Sequence, residues 1–196
     1  MRKVIVSMNV TLDGYMAGPN SELDWHFNYW NDEMAEEAAM QLNKADTILL
    51  GRITYSAMAE YWPFQAVNPN FSRQDIAFAD MMNNHRKIVF SKTLKKTHWH
   101  NSRLMKGVLQ NEVNLLKQEA GKDIIVLGSG TVVSSLIQSD LIDEYQLWVH
   151  PVTLGEGKLL FKNSGFKSRL KLIHKKDFES GVTIYFYIPI HANFLK

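Results

Sequence analysis

Ile124-Ile125-Val126-Leu127-Gly128-Ser129-Gly130-Thr131 is the stretch on which the reading of this chain turns. Its four apolar residues, with β-branched members, fit a strand covered on both faces, as in a parallel sheet. The glycines at the carboxyl end let the backbone turn sharply and let another molecule come close. A helical pattern opens at about Thr131. The free N–H groups and positive dipole end of such a helix suit a phosphate. A lone Gly-x-Gly equally fits an ordinary strand-to-helix turn, so its weight depends on the rest of the chain.

Working outward, strands are expected at residues 4–10, 47–50, 87–90, 98–104 and 145–150. Between them lie helical patterns. Asn31 or Asp32 caps a helix whose apolar face is Met34, Ala35, Ala38, Ala39 and Leu42. Residues 52–60 form a short helix that Trp62-Pro63 breaks, residues 72–83 a helix capped by Ser72, and residues 107–120 an amphipathic helix with Gly121 at its C-terminal cap. Residues 131–139 form the last. Residues 168–178 and 182–188 flank Glu179-Ser180-Gly181 as an antiparallel hairpin. Strands alternating with helices, then a hairpin, give an α/β fold with a mostly parallel sheet and an antiparallel edge. One domain over residues 1–196 is the simplest account.

The composition excludes several function classes. The 196 residues include 22 basic and 20 acidic side chains, net charge +2, without the concentrated basic face of a nucleic-acid protein. The basic stretches at residues 92–96 and 171–176 read as solvated turns or strand edges. With no cysteine, disulfides, thiol catalysis and cysteine zinc sites are out. The seven histidines, His26, His85, His98, His100, His150, His174 and His191, show no metal-ligand spacing, so no metal is expected. The N-terminal apolar run is too short for a signal peptide or membrane span. A soluble, cytoplasmic protein acting on a small molecule, with no membrane partner, is expected.

In open α/β sheets ligands bind beyond the carboxyl ends of the strands. Four such ends carry small or polar residues: Asn9 with the loop 11–25, Gly51-Arg52-Ile53-Thr54, Ser91-Lys92-Thr93, and Gly128-Ser129-Gly130-Thr131. Arg52 and Thr54 at a helix start suit phosphate oxygens. Arginine there opposes the helix dipole, which favours a ligand role over a local ion pair. The loop Leu12-Asp13-Gly14-Tyr15-Met16-Ala17-Gly18-Pro19-Asn20 reads as a shaped cover, with Asp13 fixing its turn. Asp24 is read as a proton donor or a turn cap, Trp25 as pocket lining or core, and Asp32 as a helix cap or acid.

These motifs resemble the dihydrofolate-reductase-like superfamily in their order. Residues 7–19, Asp24-Trp25, Leu49-Leu50-Gly51-Arg52-Ile53-Thr54-Tyr55, Ile88-Val89-Phe90-Ser91-Lys92-Thr93-Leu94 and Val126-Leu127-Gly128-Ser129-Gly130 carry the likeness. Leu141-Ile142-Asp143-Glu144-Tyr145 and His150-Pro151-Val152-x-Leu154-Gly155-x-Gly157 are similar to the RibD C-terminal family, the reductase half of a riboflavin-biosynthesis deaminase-reductase. The resemblance spans residue 2 to about 188. It implies a three-layer dihydrofolate-reductase-like fold, NADPH as cofactor and a homodimer. It further implies that Gly51, Arg52 and Thr54 hold cofactor phosphates and that Ser91 and Lys92 lie near the adenosine 2′-phosphate. Gly128, Ser129, Gly130, Thr131 and Val132 would cradle the pyrophosphate and nicotinamide side. Asn9, Met16 and Ala17 would border the nicotinamide. Two departures stand out. A chain without cysteine cannot carry the deaminase's zinc site. Where dihydrofolate reductase has its pterin-binding carboxylate, this chain has Trp30 and Asn31, with Asp32 slightly later.

The expected activity is therefore hydride transfer to a C=N or C=O carbon of a small heterocycle or opened sugar, with Asp24, Asp32 or water as proton source and Trp25 in the substrate pocket. The alternative is a non-catalytic nucleotide- or small-ligand-binding protein of the same fold.

Overall fold

The computed structural model describes residues 1–162 and 169–190. His191 and Ser168, the expected start of the hairpin, lie outside them. In chain order, β1 (Val4–Thr11), β2 (Tyr15–Ala17) and the single-turn α1 (Asp24–Phe27) precede α2 (Asp32–Asn43) and β3 (Ala45–Gly51). Next come α3 (Arg52–Gln65), α4 (Arg73–Asn84), β4 (Arg86–Phe90), β5 (Ser102–Met105) and α5 (Leu109–Gln118). Then follow β6 (Asp123–Leu127), α6 (Gly130–Gln138), β7 (Glu144–His150), β8 (Lys158–Leu159), β9 (Arg169–Asp177) and β10 (Thr183–Ile190).

Eight strands form one sheet in the order β5-β4-β3-β6-β1-β7-β10-β9. From β5 to β7 all neighbours are parallel. β10 runs antiparallel to both β7 and β9. Alternation along β1 sends Val4, Val6, Met8 and Val10 to one face, against Val113 and Leu116 of α5 and Val133 and Leu136 of α6. On the other face Ile48, Leu50 and Ile125 meet Leu42 of α2, Tyr55 and Ala59 of α3 and Met82 of α4. Farther along that face Trp148 and Ile184 pack on Met34 and Phe178. Each fully buried aliphatic contributes about 1.5–3 kcal/mol. The result is the three-layer fold expected.

One break in pairing positions the site. β1 pairs with β6 from Val4↔Ile124 to Ser7↔Leu127, whereas it pairs with β7 as far as Thr11↔His150. Residues 8–11 therefore run past the end of β6 while still paired with β7. The chain leaving β1 passes through α2 on one face, and that leaving β6 passes through α6 on the other. A crevice opens between the two strands where the connections diverge.

Several local expectations change. Pro63 does not end α3, which runs on to Gln65. A proline so near the C-terminus forfeits only one late N–H. The Tyr61 and Trp62 carbonyls accept from the Gln65 and Asn83 side-chain amides. α2 is rotated from its apolar reading. It buries Met34, Glu37, Gln41 and Leu42, while Ala35, Ala38 and Ala39 are half-buried. The polar pair is accommodated by a buried relay. Lys176 Nζ lies 3.1 Å from Glu37, Gln41 Nε2 donates to Glu37 at 3.2 Å, and Ser7 Oγ donates to Gln41 Oε1 at 3.1 Å. Trp148 Nε1 completes it by donating to Ser7 Oγ at 3.1 Å. α5 is shorter than expected and its C-cap is Glu119, not Gly121. The expected strand at 98–104 forms only over Ser102–Met105. The loop 11–25 contains β2, which pairs with β8. Asn31 and Ser72 do cap their helices, Ser72 in a reciprocal capping box with Asp75. The basic stretch at 171–176 falls in edge strand β9.

Candidate active site

Adjacency of β3 and β6 brings two helix starts together at the carboxyl edge. Gly51 precedes α3 and Ser129 precedes α6. Ser129 is a residue type that commonly caps its own helix, yet its hydroxyl accepts from the Gly51 N–H at 2.9 Å. No side chain caps the first turn of either helix. Two positive dipole ends with unclaimed N–H groups thus lie side by side.

The linker between β6 and α6 is tightly wound. Gly128 has φ +62°, and a Cβ there would stand 3.0 Å from the Thr54 methyl. Ser129, with φ 62° and ψ 57°, holds the same left-handed conformation without glycine's freedom. Gly130 faces the first loop, and a Cβ there would run into Met16 Cε. Residues 51–54, 128–132 and Met16 therefore form one constellation. Within it Val132 is buried, whereas Arg52 and Thr131 are exposed. Arg52 makes no hydrogen bond or ion pair among the described residues.

Ser91 follows Phe90, the partner of Gly51 across β3 and β4, so it sits at the same edge. Its hydroxyl is engaged in its own turn, accepting from the Thr93 and Leu94 N–H groups at 3.2 and 2.9 Å. Lys92 is exposed beside it. Asp13 does more than fix its own turn. It accepts from the Leu154 and Gly155 N–H groups at 3.1 and 2.8 Å and so fastens the first loop to the chain after β7. Ala17 is buried in β2.

On the other side of the crevice, Asn9 Oδ1 lies 2.9 Å from His150 Nε2. His150 ends β7 and is fully buried. Trp25 meets its ring edge-on at 5.2 Å, with Tyr29 at 5.6 Å and His26 at 5.9 Å. Burial, and secondarily His26, pushes the His150 imidazole down to about 4. Burial also lowers His26, against the Leu23 carbonyl and the Asp24 charge. The carboxylates are placed differently. Asp24 opens α1 and Asp32 opens α2, and both are exposed. The buried titratable group of the site is thus a histidine. The sequence holds a signal for it, since His150 stands at a strand's carboxyl end and opens the His150-Pro151-Val152 motif, but nothing in its spacing to other residues gives it a chemical role.

The RibD C-terminal domain model matches residues 2–184. The chain belongs to the RibD C-terminal domain family. A relative, the uncharacterized protein YyaP of Bacillus subtilis (strain 168), is 34% identical over 181 residues, 92% of each chain. Among solved structures, a Shewanella sp. PV-4 protein assigned to riboflavin biosynthesis superposes with TM-score 0.75 at 21% identity, over 96% of this chain and 99% of that one. The Thermotoga maritima diaminohydroxyphosphoribosylaminopyrimidine deaminase/5-amino-6-(5-phosphoribosylamino)uracil reductase superposes with TM-score 0.66 at 16% identity, over 96% of this chain and 57% of that one. Such likeness establishes the reductase-like fold. This RibD C-terminal domain chain shares the fold of these proteins, and among its described residues no helix is long and apolar enough to cross a membrane.

Proposed function

We propose that the protein is an NADPH-dependent reductase of a small heterocyclic or sugar-derived C=N or C=O substrate, acting in the cytoplasm as a homodimer, similar in chemistry to 5-amino-6-(5-phosphoribosylamino)uracil reductase. The observation that carries the reading is the pair of helix starts whose first turns no side chain caps, joined through Gly51 and Ser129. Their geometry fits a pyrophosphate. Gly128, at φ +62° and against Thr54, disfavours a larger side chain, and at Gly130 one would push the Met16 side chain aside. Exposed Arg52 and Lys92 supply charge for phosphate oxygens.

When bound, NADPH supplies the hydride. The chain's own part is to bind, orient and exclude water. Gly51, Arg52, Thr54 and residues 128–132 hold phosphates, Met16 and Asn9 border the crevice, and the Trp25–His150 cluster closes its far side. With Asp24 and Asp32 both exposed, bulk or bound water is the simplest proton source.

The test is a titration of NADPH and NADH against intrinsic tryptophan fluorescence, with NADPH oxidation followed over a panel of pterins, ribitylaminopyrimidine precursors and carbonyl compounds. NADPH is expected to bind more tightly than NADH, Lys92→Ala to narrow that preference about tenfold, and Arg52→Ala to weaken both cofactors. Equal, negligible responses to both would defeat the cofactor claim. Tight binding without oxidation of any panel member would favour the non-catalytic reading. Sedimentation velocity returning only monomer would remove the dimer.

A further inference from the structure

Three elements gather around Asn9 with their hydrogen bonding incomplete. Trp25 Nε1 and His150 Nδ1 are both buried without a partner among the described residues. The two atoms have opposite senses. Indole nitrogen only donates. With Asn9 Oδ1 at 2.9 Å from His150 Nε2, the imidazole proton sits on Nε2, leaving Nδ1 a bare lone pair. The rings are 5.2 Å apart, at 89°, yet neither nitrogen satisfies the other. Buried polar groups are rarely left unpaired, and each unpaired one is costly. Neither atom is held by the relay through Ser7, Gln41 and Glu37, which ends at Trp148. Both side chains belong to the edge where β1 outruns β6.

We infer that Trp25 and His150 form a specificity-determining pair for a neutral ligand edge that presents an acceptor beside a donor, such as the –CO–NH– of a lactam. Trp25 Nε1 donates to the ligand's carbonyl, and His150 Nδ1 accepts from its N–H. The pair discriminates against a ligand lacking the N–H, because the Nδ1 lone pair then stays buried and unpaired. A carboxylate is disfavoured too, since it brings no donor to Nδ1. α1, a single turn whose N-terminus no side chain caps, carries Trp25 and is the segment that must move to admit the edge.

The inference rests on the proposed reductase reading only for its place beside the crevice, and its test omits NADPH, so each fails separately. The probes are 2-pyridone, a small planar ring with this edge, and N-methyl-2-pyridone, which lacks the donor. Side-chain ¹⁵N spectra of the histidines report the tautomer and the engagement of Nδ1. The expected result is a His150 proton on Nε2, a shift of Nδ1 on adding 2-pyridone, and at least about tenfold weaker binding of the N-methyl compound. His150→Phe keeps a buried ring and leaves no acceptor in place of Nδ1. Trp25→Phe keeps a ring and removes the donor. Each is expected to weaken 2-pyridone about tenfold, and either folded variant suffices. A proton on Nδ1, equal binding of the two pyridones, or a long-lived bridging water that 2-pyridone leaves in place would overturn the inference.

Discussion

At pH 7 the His150 imidazole is neutral, because burial pushes it from 6.5 to about 4. An unfolded chain binds a proton at this position below about 6.5. The folded chain resists it until about 4. Stability from this group is therefore complete above about pH 6.5 and falls as pH drops toward 4, by about 3 kcal/mol in all. His26 shifts in the same direction and adds to the loss. Asp13, Glu22, Glu119 and Asp177, whose carboxyls hydrogen bonds lower, lose their contribution as pH falls below their ordinary values of 3.8 and 4.5, at and beyond the acid end of that window. We expect urea midpoints to drop between pH 7 and pH 4.5, and to drop less in His150→Gln. Parallel slopes in the two proteins would contradict the assignment. Gly51, Gly128 and Gly130 were legible from the sequence because a glycine at a strand end needs a geometric reason. His150 was not, because its significance lies in what buries it, Trp25 and Tyr29, which arrive from a distant part of the chain.

Helix starts differ at the scale of elements: α1 and α5, like α3 and α6, begin without a side-chain cap, and what marks α3 and α6 is the hydrogen bond that joins their starts. α2 and α4 begin with side-chain caps, Asn31 and Ser72. α3 and α6 begin without them, and Ser129 spends its hydroxyl on the neighbouring strand end. Ser72→Ala is expected to cost about 1 kcal/mol of stability and leave NADPH affinity unchanged. Ser129→Ala, which frees the Gly51 N–H, is expected to cost about the same and also weaken NADPH. Thermal unfolding together with cofactor titration distinguishes the two, and equal effects on affinity would erase the distinction. Capping signals of this kind are local and were read correctly. The rotated face of α2 was not, since Glu37 becomes tolerable in the interior through Lys176, a residue on β9, together with Gln41. α3 likewise outlasts Pro63 because Gln65 and Asn83 supply side-chain donors to its late carbonyls.

For the molecule as a whole, alternation of strands and helices announced an α/β sheet, and the hairpin announced its antiparallel edge. Strand order could not be read, because nothing local states that β6 returns between β3 and β1. That return is what sets Gly51 beside Ser129 and opens the crevice after Ser7↔Leu127. The most direct test is a crystal structure of the protein soaked with NADPH. The pyrophosphate is predicted between residues 51–54 and 128–132, with the nicotinamide in the gap between β1 and β6 next to Met16. Density for the cofactor at another surface, or none at saturating concentration, would contradict the account.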